Sequence, residues 1–167
     1  MSTLILSLIL VMELIIQATV FQFLNFHSYY PDLLLITIVC LSIVYKKEYT
    51  YKLGLIAGLL LDILYGGIIG FYAVSLLLTS LFVNAISKNL YMESLFTPVV
   101  IFPMGAVVFH SINYLLWYLL KRSIPFNVYI MQFGLLYWVI NFLFVLLMYP
   151  FILKFVRIHL FKSQIRS

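Results

Sequence analysis

The chain has 167 residues, of which 65% are hydrophobic and 9% are charged, and its mean hydropathy is +1.16. This composition excludes a soluble domain, because one core of this size could not bury so much apolar surface. The formal charge of +5 does not indicate nucleic acid, since the basic residues lie between and after apolar runs and share no common surface. We therefore predict an all-α integral membrane protein, with a single polytopic domain over residues 1–167.

Six apolar runs follow one another along the chain, at residues 4–24, 33–45, 53–65, 68–86, 95–119 and 133–153. The second and third runs have about 13 residues each and rise only about 20 Å, against a hydrocarbon core of about 30 Å. They could form a re-entrant hairpin or two short spans. Lys46, Lys47 and Lys52 lie at the tip, and each would cost about 2.5–3.5 kcal/mol at the bilayer centre. The tip therefore reaches water, and we predict six transmembrane helices.

The distribution of basic residues predicts that both termini are cytoplasmic. With the N-terminus inside, the outer loops hold only Lys121 and Arg122, and the other Lys and Arg residues lie on the cytoplasmic side. The basic C-terminal tail is then expected to contact anionic lipid headgroups. This orientation places His27, the Asp32 end of the second helix and the Asp62 end of the third helix on the outer side, where they can meet.

Pro31 and Asp32 begin the second helix. Proline is favoured in the first turn of a helix, and a carboxylate is favoured at the positive end of the helix dipole. We therefore interpret Asp32 as a helix cap. The alternative is a proton or ligand site that Asp32 shares with Asp62 or His27.

Glycines recur on one face of the third helix. Gly54, Gly58 and Asp62 are spaced by four residues, and Gly66 continues the same face. Such a stripe lets another helix approach closely, so we expect packing inside the bundle in preference to a partner or ligand face.

A glycine-rich turn, with Gly66, Gly67 and Gly70, joins the third and fourth helices. Glycine permits a tight reversal there, and the first amides of the fourth helix favour an anion. No Lys or Arg lies beside the turn in sequence, so we expect the Asp62 carboxylate, and not a phosphate, to bind these amides.

Five polar residues interrupt the apolar runs: Glu13, Gln17, His110, Asn113 and Asn141. Polar side chains inside a membrane are candidate functional sites, and we expect these to face one another across the bundle. Hydrogen bonding between helices is the favoured interpretation, and transport is the alternative.

Motifs for nucleotide, hydrolase or metalloprotease chemistry are absent, and the single cysteine, Cys40, has no partner for a disulfide or a zinc site. We expect neither an enzyme nor a cofactor or metal site.

The motif-bearing part of the chain, roughly residues 29–80, resembles MreD, a bacterial rod-shape-determining membrane protein family. The resemblance rests on P-D-L-L-L at 31–35, the basic hairpin tip, G-x-x-x-G-L-L-L-D at 54–62 and the following GGIIG. It implies a non-enzymatic scaffold of cell elongation and peptidoglycan synthesis in the bacterial inner membrane. The implied partners are a single-pass MreC-like protein, a complex of a RodA-type polymerase with a class B penicillin-binding protein, and, directly or indirectly, the MreB filament.

MreD-like proteins are also similar in fold to the substrate-binding subunits of energy-coupling-factor vitamin transporters. That similarity implies an alternative function, in which Asp32, Asp62 and His27 contribute to a vitamin pocket. Those subunits dock their partner through an alanine-x-x-x-alanine pattern on the first helix, and this first helix lacks it. A proton-coupled permease that uses Glu13 and His110 is a minor alternative.

Overall fold

The computed structural model describes residues 3–23, 31–44, 47–65, 68–87, 94, 96–122, 125–131 and 133–164. These residues form helices and connecting turns, and no strand occurs among them. The helices are α1 (Thr3–Phe23), α2 (Leu33–Val44), α3 (Lys47–Tyr65), α4 (Phe71–Ser87), α5 (Phe96–Leu119), α6 (Phe126–Met131) and α7 (Leu135–Gln164).

The six predicted runs correspond to α1–α5 and α7, and the prediction of an all-helical protein is confirmed. The six-residue helix α6 was not predicted, since its segment was assigned to an outer loop. Two helices, Phe96–Leu119 and Leu135–Val156, are long and apolar enough to cross a membrane, which fits a membrane protein.

Helix α3 begins before its apolar run. It starts at Lys47 and has 19 residues, so it extends for about 28 Å. Tyr49 and Lys52 therefore belong to the helix, and both are exposed. Polar and aromatic residues before the apolar run therefore lengthen this helix.

The shortest of the six main helices, α2, lies at the centre of the bundle. It has 12 residues and is buried from Leu33 to Ile43. A helix that is apolar on every side is stable only when protein surrounds it. Helices α1, α3, α4, α5 and α7 all pack against α2. Its sides therefore meet protein, and its length of about 18 Å does not have to match the bilayer.

The helices α3 and α4 form the most extensive contact in the bundle. The two helices are joined at a corner, which we call the Asp62 corner. It consists of the end of α3, the turn residues 68–70 and the start of α4. The ends of α2, α5 and α7 that carry Asp32, Trp117 and Tyr137 lie at the same end of the molecule, since their side chains contact one another or line common cavities. At the opposite end, Asn84 Nδ2 donates to the Ser42 carbonyl at 3.1 Å, which ties α4 to α2.

Candidate functional site

The Asp62 carboxylate caps a helix other than its own. Oδ2 accepts hydrogen bonds from the Gly70 amide at 2.9 Å and the Ala73 amide at 3.2 Å, and Oδ1 accepts from the Tyr72 amide at 2.8 Å. The first amides of α4 have no partners within that helix, and a carboxylate satisfies both their hydrogen bonds and the positive end of the dipole. This is the contact that the glycine-rich turn predicts. Both oxygens of Asp62 are engaged, and the side chain is only 2% exposed.

Gly70 provides the backbone conformation of this corner. Its φ of +104° lies in a region that residues with a Cβ rarely adopt. The turn therefore requires glycine at position 70, independently of the space around it. The other two predicted turn residues, Gly66 and Gly67, lie outside the described residues.

The glycine stripe of α3 is covered by α4. A Cβ on Gly58 would lie 2.2 Å from the Ala73 Cα, and one on Gly54 would lie 3.0 Å from the Leu76 carbonyl oxygen and from Ser80 Oγ. Backbone approaches backbone at Gly58, so nothing larger than hydrogen fits there. At these two glycines the neighbour is a helix of the same chain, which corresponds to packing inside the bundle.

Asp32 is held by two residues of α7. Tyr137 Oη donates to Asp32 Oδ2 at 2.7 Å, the Asp32 amide donates to Asn141 Oδ1 at 3.0 Å, and Asn141 Nδ2 donates to the Tyr137 carbonyl at 2.8 Å. Burial raises the pKa of the Asp32 carboxyl, which precedes α2, and the bond from Tyr137 offsets part of this increase. With Asn141 buried below it, Asp32 is fixed at the start of α2.

Asp32 lies directly before α2, in the position of an N-cap residue. The helix begins at Leu33, and the Asp32 carbonyl accepts a hydrogen bond from the Ile36 amide at 2.9 Å. Among the described residues, the hydrogen bond to the Asp32 carboxylate comes from α7 and not from the amides of α2. The side chain of Asp32 therefore joins two helices.

His110 extends this group through the same tyrosine. Its Nε2 lies 2.9 Å from Tyr137 Oη, and its ring packs 4.0 Å from the ring of Phe133. Tyr137 Oη therefore lies within hydrogen-bond distance of both Asp32 and His110. Asp32, Tyr137, Asn141 and His110 form what we call the Asp32 cluster.

The remaining predicted polar residues do not join this cluster. Thr37 Oγ1 donates to Glu13 Oε1 at 3.0 Å, which joins α1 to α2, and Ser75 Oγ donates to Asn113 Oδ1 at 2.6 Å, which joins α4 to α5. Each of these two hydrogen bonds joins neighbouring helices, which is the favoured interpretation of the polar residues. Of the five predicted polar residues, His110 and Asn141 both contact Tyr137, whereas Glu13 and Asn113 bond to residues of neighbouring helices, so the described contacts do not bring all five into one group.

Sequence reasoning missed Tyr137 and Gly105. Tyr137 lies four residues before Asn141 on the same face of α7, and this spacing was the available signal. Gly105 gives no comparable signal, because it stands alone in α5. A Cβ there would meet Val83 Cγ2 at 3.0 Å and Val39 Cγ2 at 3.1 Å, so this glycine lets α5 approach both α4 and α2.

A cavity of about 280 Å³ adjoins the Asp32 cluster. The described residues that line it come from α1 to α5 and from the residue before α2: Gln17, Asp32, Leu34, Leu35, Leu61, Tyr65, Tyr72, Leu76 and Phe109. We call it the Asp32 cavity. Asp32, which precedes α2, and Tyr65, at the end of α3, both line this cavity. His27, which was expected beside them, lies outside the described residues.

A second cavity, of about 300 Å³, lies beside Glu13 between α1, α2 and α7. Apart from Glu13 and Thr37, its described lining is apolar: Ile9, Leu10, Leu41, Met148, Phe151, Ile152 and Phe155. The second carboxylate oxygen of Glu13 and the side-chain oxygen of Gln17 are buried without a hydrogen-bond partner among the described residues.

The family model of the rod shape-determining protein MreD matches residues 1–159 of the chain. The chain belongs to the MreD family. The match extends far beyond residues 29–80, which carried the resemblance in the sequence, and it includes the Asp32 cluster on α5 and α7 as well as the Asp62 corner. No curated protein and no solved structure matches the chain. Membership of the MreD family implies a membrane protein with a role in rod shape determination.

Proposed function

We propose that this chain is a non-enzymatic, multi-pass scaffold of the cell-elongation complex in the bacterial inner membrane. It acts with an MreC-like single-pass protein and with the complex of a RodA-type polymerase and a class B penicillin-binding protein. It connects to the MreB filament directly or through these partners. The observation that carries the proposal is the match to the MreD family over residues 1–159.

The internal construction of the bundle supports a scaffold. Asp62, Asn113 and Asn141 each bond to another part of the bundle, and these bonds fix the relative positions of the helices. A central helix that five others surround also favours a rigid body. Rigid packing is what a protein needs when it holds membrane partners in fixed positions.

Depletion in a rod-shaped host tests this role. We expect cells to become round, to widen and to lyse, while vitamin uptake is unchanged. Purification of the chain from native membranes should recover an MreC-like single-pass protein. Normal cell shape on depletion would contradict the proposal.

The Asp32 cavity favours one alternative, the vitamin-binding subunit of an energy-coupling-factor type transporter. A cavity of about 280 Å³ is near the lower limit for small-molecule sites. The same two experiments separate the functions. Failed uptake of one vitamin, together with recovery of an ATPase-coupled transmembrane subunit, would support the alternative.

Six spans with both termini in the cytoplasm are part of the proposal. Single cysteines at Lys47→Cys and Asn127→Cys, in a Cys40→Ser background, should react with membrane-impermeant reagents from opposite sides, with position 127 outside. Labelling of both positions from the same side would contradict six spans.

A further inference from the structure

The Asp32 cavity contains one charged group among its described lining residues. That group is the carboxylate of Asp32, and no Lys, Arg or His lies among the described residues that line the cavity. A carboxylate in a partly apolar cavity attracts positive charge strongly, because little water screens it. The described lining therefore favours a cation over an anion.

The carboxylate is held in place through one of its oxygens. Oδ2 accepts the hydrogen bond from Tyr137, and the Asp32 amide is bound to Asn141. Oδ1 has no hydrogen bond to any described residue. The cluster thus fixes the orientation of the Asp32 carboxylate at the cavity wall. The side chain therefore loses little conformational freedom when a ligand binds.

Three aromatic rings line the same cavity. Tyr72 and Phe109 stack with centroids 6.4 Å apart and planes 26° apart, and Tyr65, at the end of α3, also lines the cavity. The face of an aromatic ring carries negative electrostatic potential, and rings around a carboxylate are a common arrangement for ammonium groups. Leucines from α2, α3 and α4 form the remaining apolar wall.

We infer that the Asp32 cavity binds an ammonium group, with Asp32 as counter-ion and Tyr65, Tyr72 and Phe109 as the aromatic walls. No group of three or more His, Cys, Asp or Glu side chains that could hold a metal ion occurs among the described residues, and the described lining of this cavity offers one carboxylate. The ammonium group can belong to a lipid headgroup or to a free amine, since both present the same charge. This site is independent of the scaffold role, so either can fail without the other.

The direct test measures binding of choline to the intact chain, purified in a maltoside detergent that itself carries no ammonium group. The control ligand is 3,3-dimethylbutan-1-ol, which has the shape of choline without its charge. We expect calorimetric binding of choline at least about tenfold tighter than that of the neutral alcohol. Equal binding of the two would overturn the inference.

Variants locate the site. Asp32→Asn should weaken choline binding at least about tenfold, whereas Glu13→Gln removes the same charge beside the other cavity and should leave binding unchanged. If Asp32→Asn does not fold, Tyr65→Leu and Tyr65→Phe serve instead, because the Tyr65 side chain is 47% exposed. The leucine variant should weaken binding and the phenylalanine variant should retain it. Unchanged binding in Asp32→Asn, or in Tyr65→Leu where Asp32→Asn does not fold, would overturn the inference.

A second arm separates the two sources of the ammonium group. Nanodiscs that contain phosphatidylethanolamine are compared with nanodiscs of phosphatidylglycerol alone, and thermal stability is measured for the unaltered chain and for Asp32→Asn. Stabilisation by phosphatidylethanolamine that depends on Asp32 identifies a lipid headgroup. Choline binding without that stabilisation identifies a free amine. Equal binding of choline and the neutral alcohol overturns the inference whatever the nanodiscs show, and that outcome leaves cell shape control untouched.

Discussion

Two carboxylates lie at the same end of the bundle, and their surroundings differ. Asp62 is buried and spends both oxygens on three backbone amides that lie 8 to 11 residues further along the chain. Asp32 is partly buried, and among the described residues the hydrogen bond to its carboxylate comes from Tyr137, 105 residues away. Both oxygens of the first carboxylate are engaged in building a corner. The second carboxylate lines a cavity, and this makes it the better candidate for binding.

The largest expected effect concerns the packing that supports the Asp62 corner. Gly58→Leu should abolish folded protein, because even its Cβ would lie 2.2 Å from the Ala73 backbone, and overpacking at backbone costs about 3 kcal/mol or more. Gly54→Ala should be milder, since its contacts are at 3.0 Å and include the movable Ser80 hydroxyl. Monodisperse yield in detergent measures both. As a control, Leu59→Ala on the exposed side of α3 should fold normally.

Removal of the Asp62 carboxylate should have the next largest effect. Asp62→Leu leaves three amides without partners, and each costs about 1–3 kcal/mol, although the losses are not additive. Asp62→Asn should be clearly milder, because the asparagine keeps one acceptor oxygen. Thermal unfolding in detergent would show the order. If Asp62→Asn folds and retains its MreC-like partner but abolishes function, the charge of Asp62 matters and capping is an insufficient explanation.

These two regions also differ in how far the sequence could predict them. The Asp62 corner is local: the glycines and the carboxylate stand within one short segment, so their spacing predicts the contact. The Asp32 cluster joins α2, α5 and α7, and hydrophobic periodicity does not say which helices become neighbours. The sequence analysis also did not predict that α2 lies at the centre of the bundle, although the apolar sequence of α2 is the physical reason for this position.

In the Asp32 cluster, Tyr137→Phe should have a moderate effect. It removes the hydroxyl that donates to Asp32 and lies 2.9 Å from His110 Nε2, so we expect a loss of about 1–2 kcal/mol in unfolding free energy. Tyr118→Phe is the matched control, because Tyr118 is exposed near the end of α5. A loss no larger than that of the control would mean that the tyrosine hydroxyl does not hold α7 to α2.

The smallest effect on stability is expected from Asp32→Asn. Asparagine keeps an acceptor for Tyr137, and it removes a charge that burial disfavours, as the raised pKa of Asp32 indicates. A carboxyl whose pKa is raised on folding binds its proton more tightly in the folded chain, so the unaltered protein loses stability as the pH rises from the ordinary value of an aspartate towards the folded value. The variant lacks this loss. The melting temperature of Asp32→Asn, relative to that of the unaltered chain, should therefore increase as the pH rises through that window. The relative melting temperature of the variant should be lowest at the acidic end of the window. A variant that is destabilised most at high pH would show that the charged carboxylate stabilises the fold, and Asp32 would then resemble Asp62 in being a structural residue.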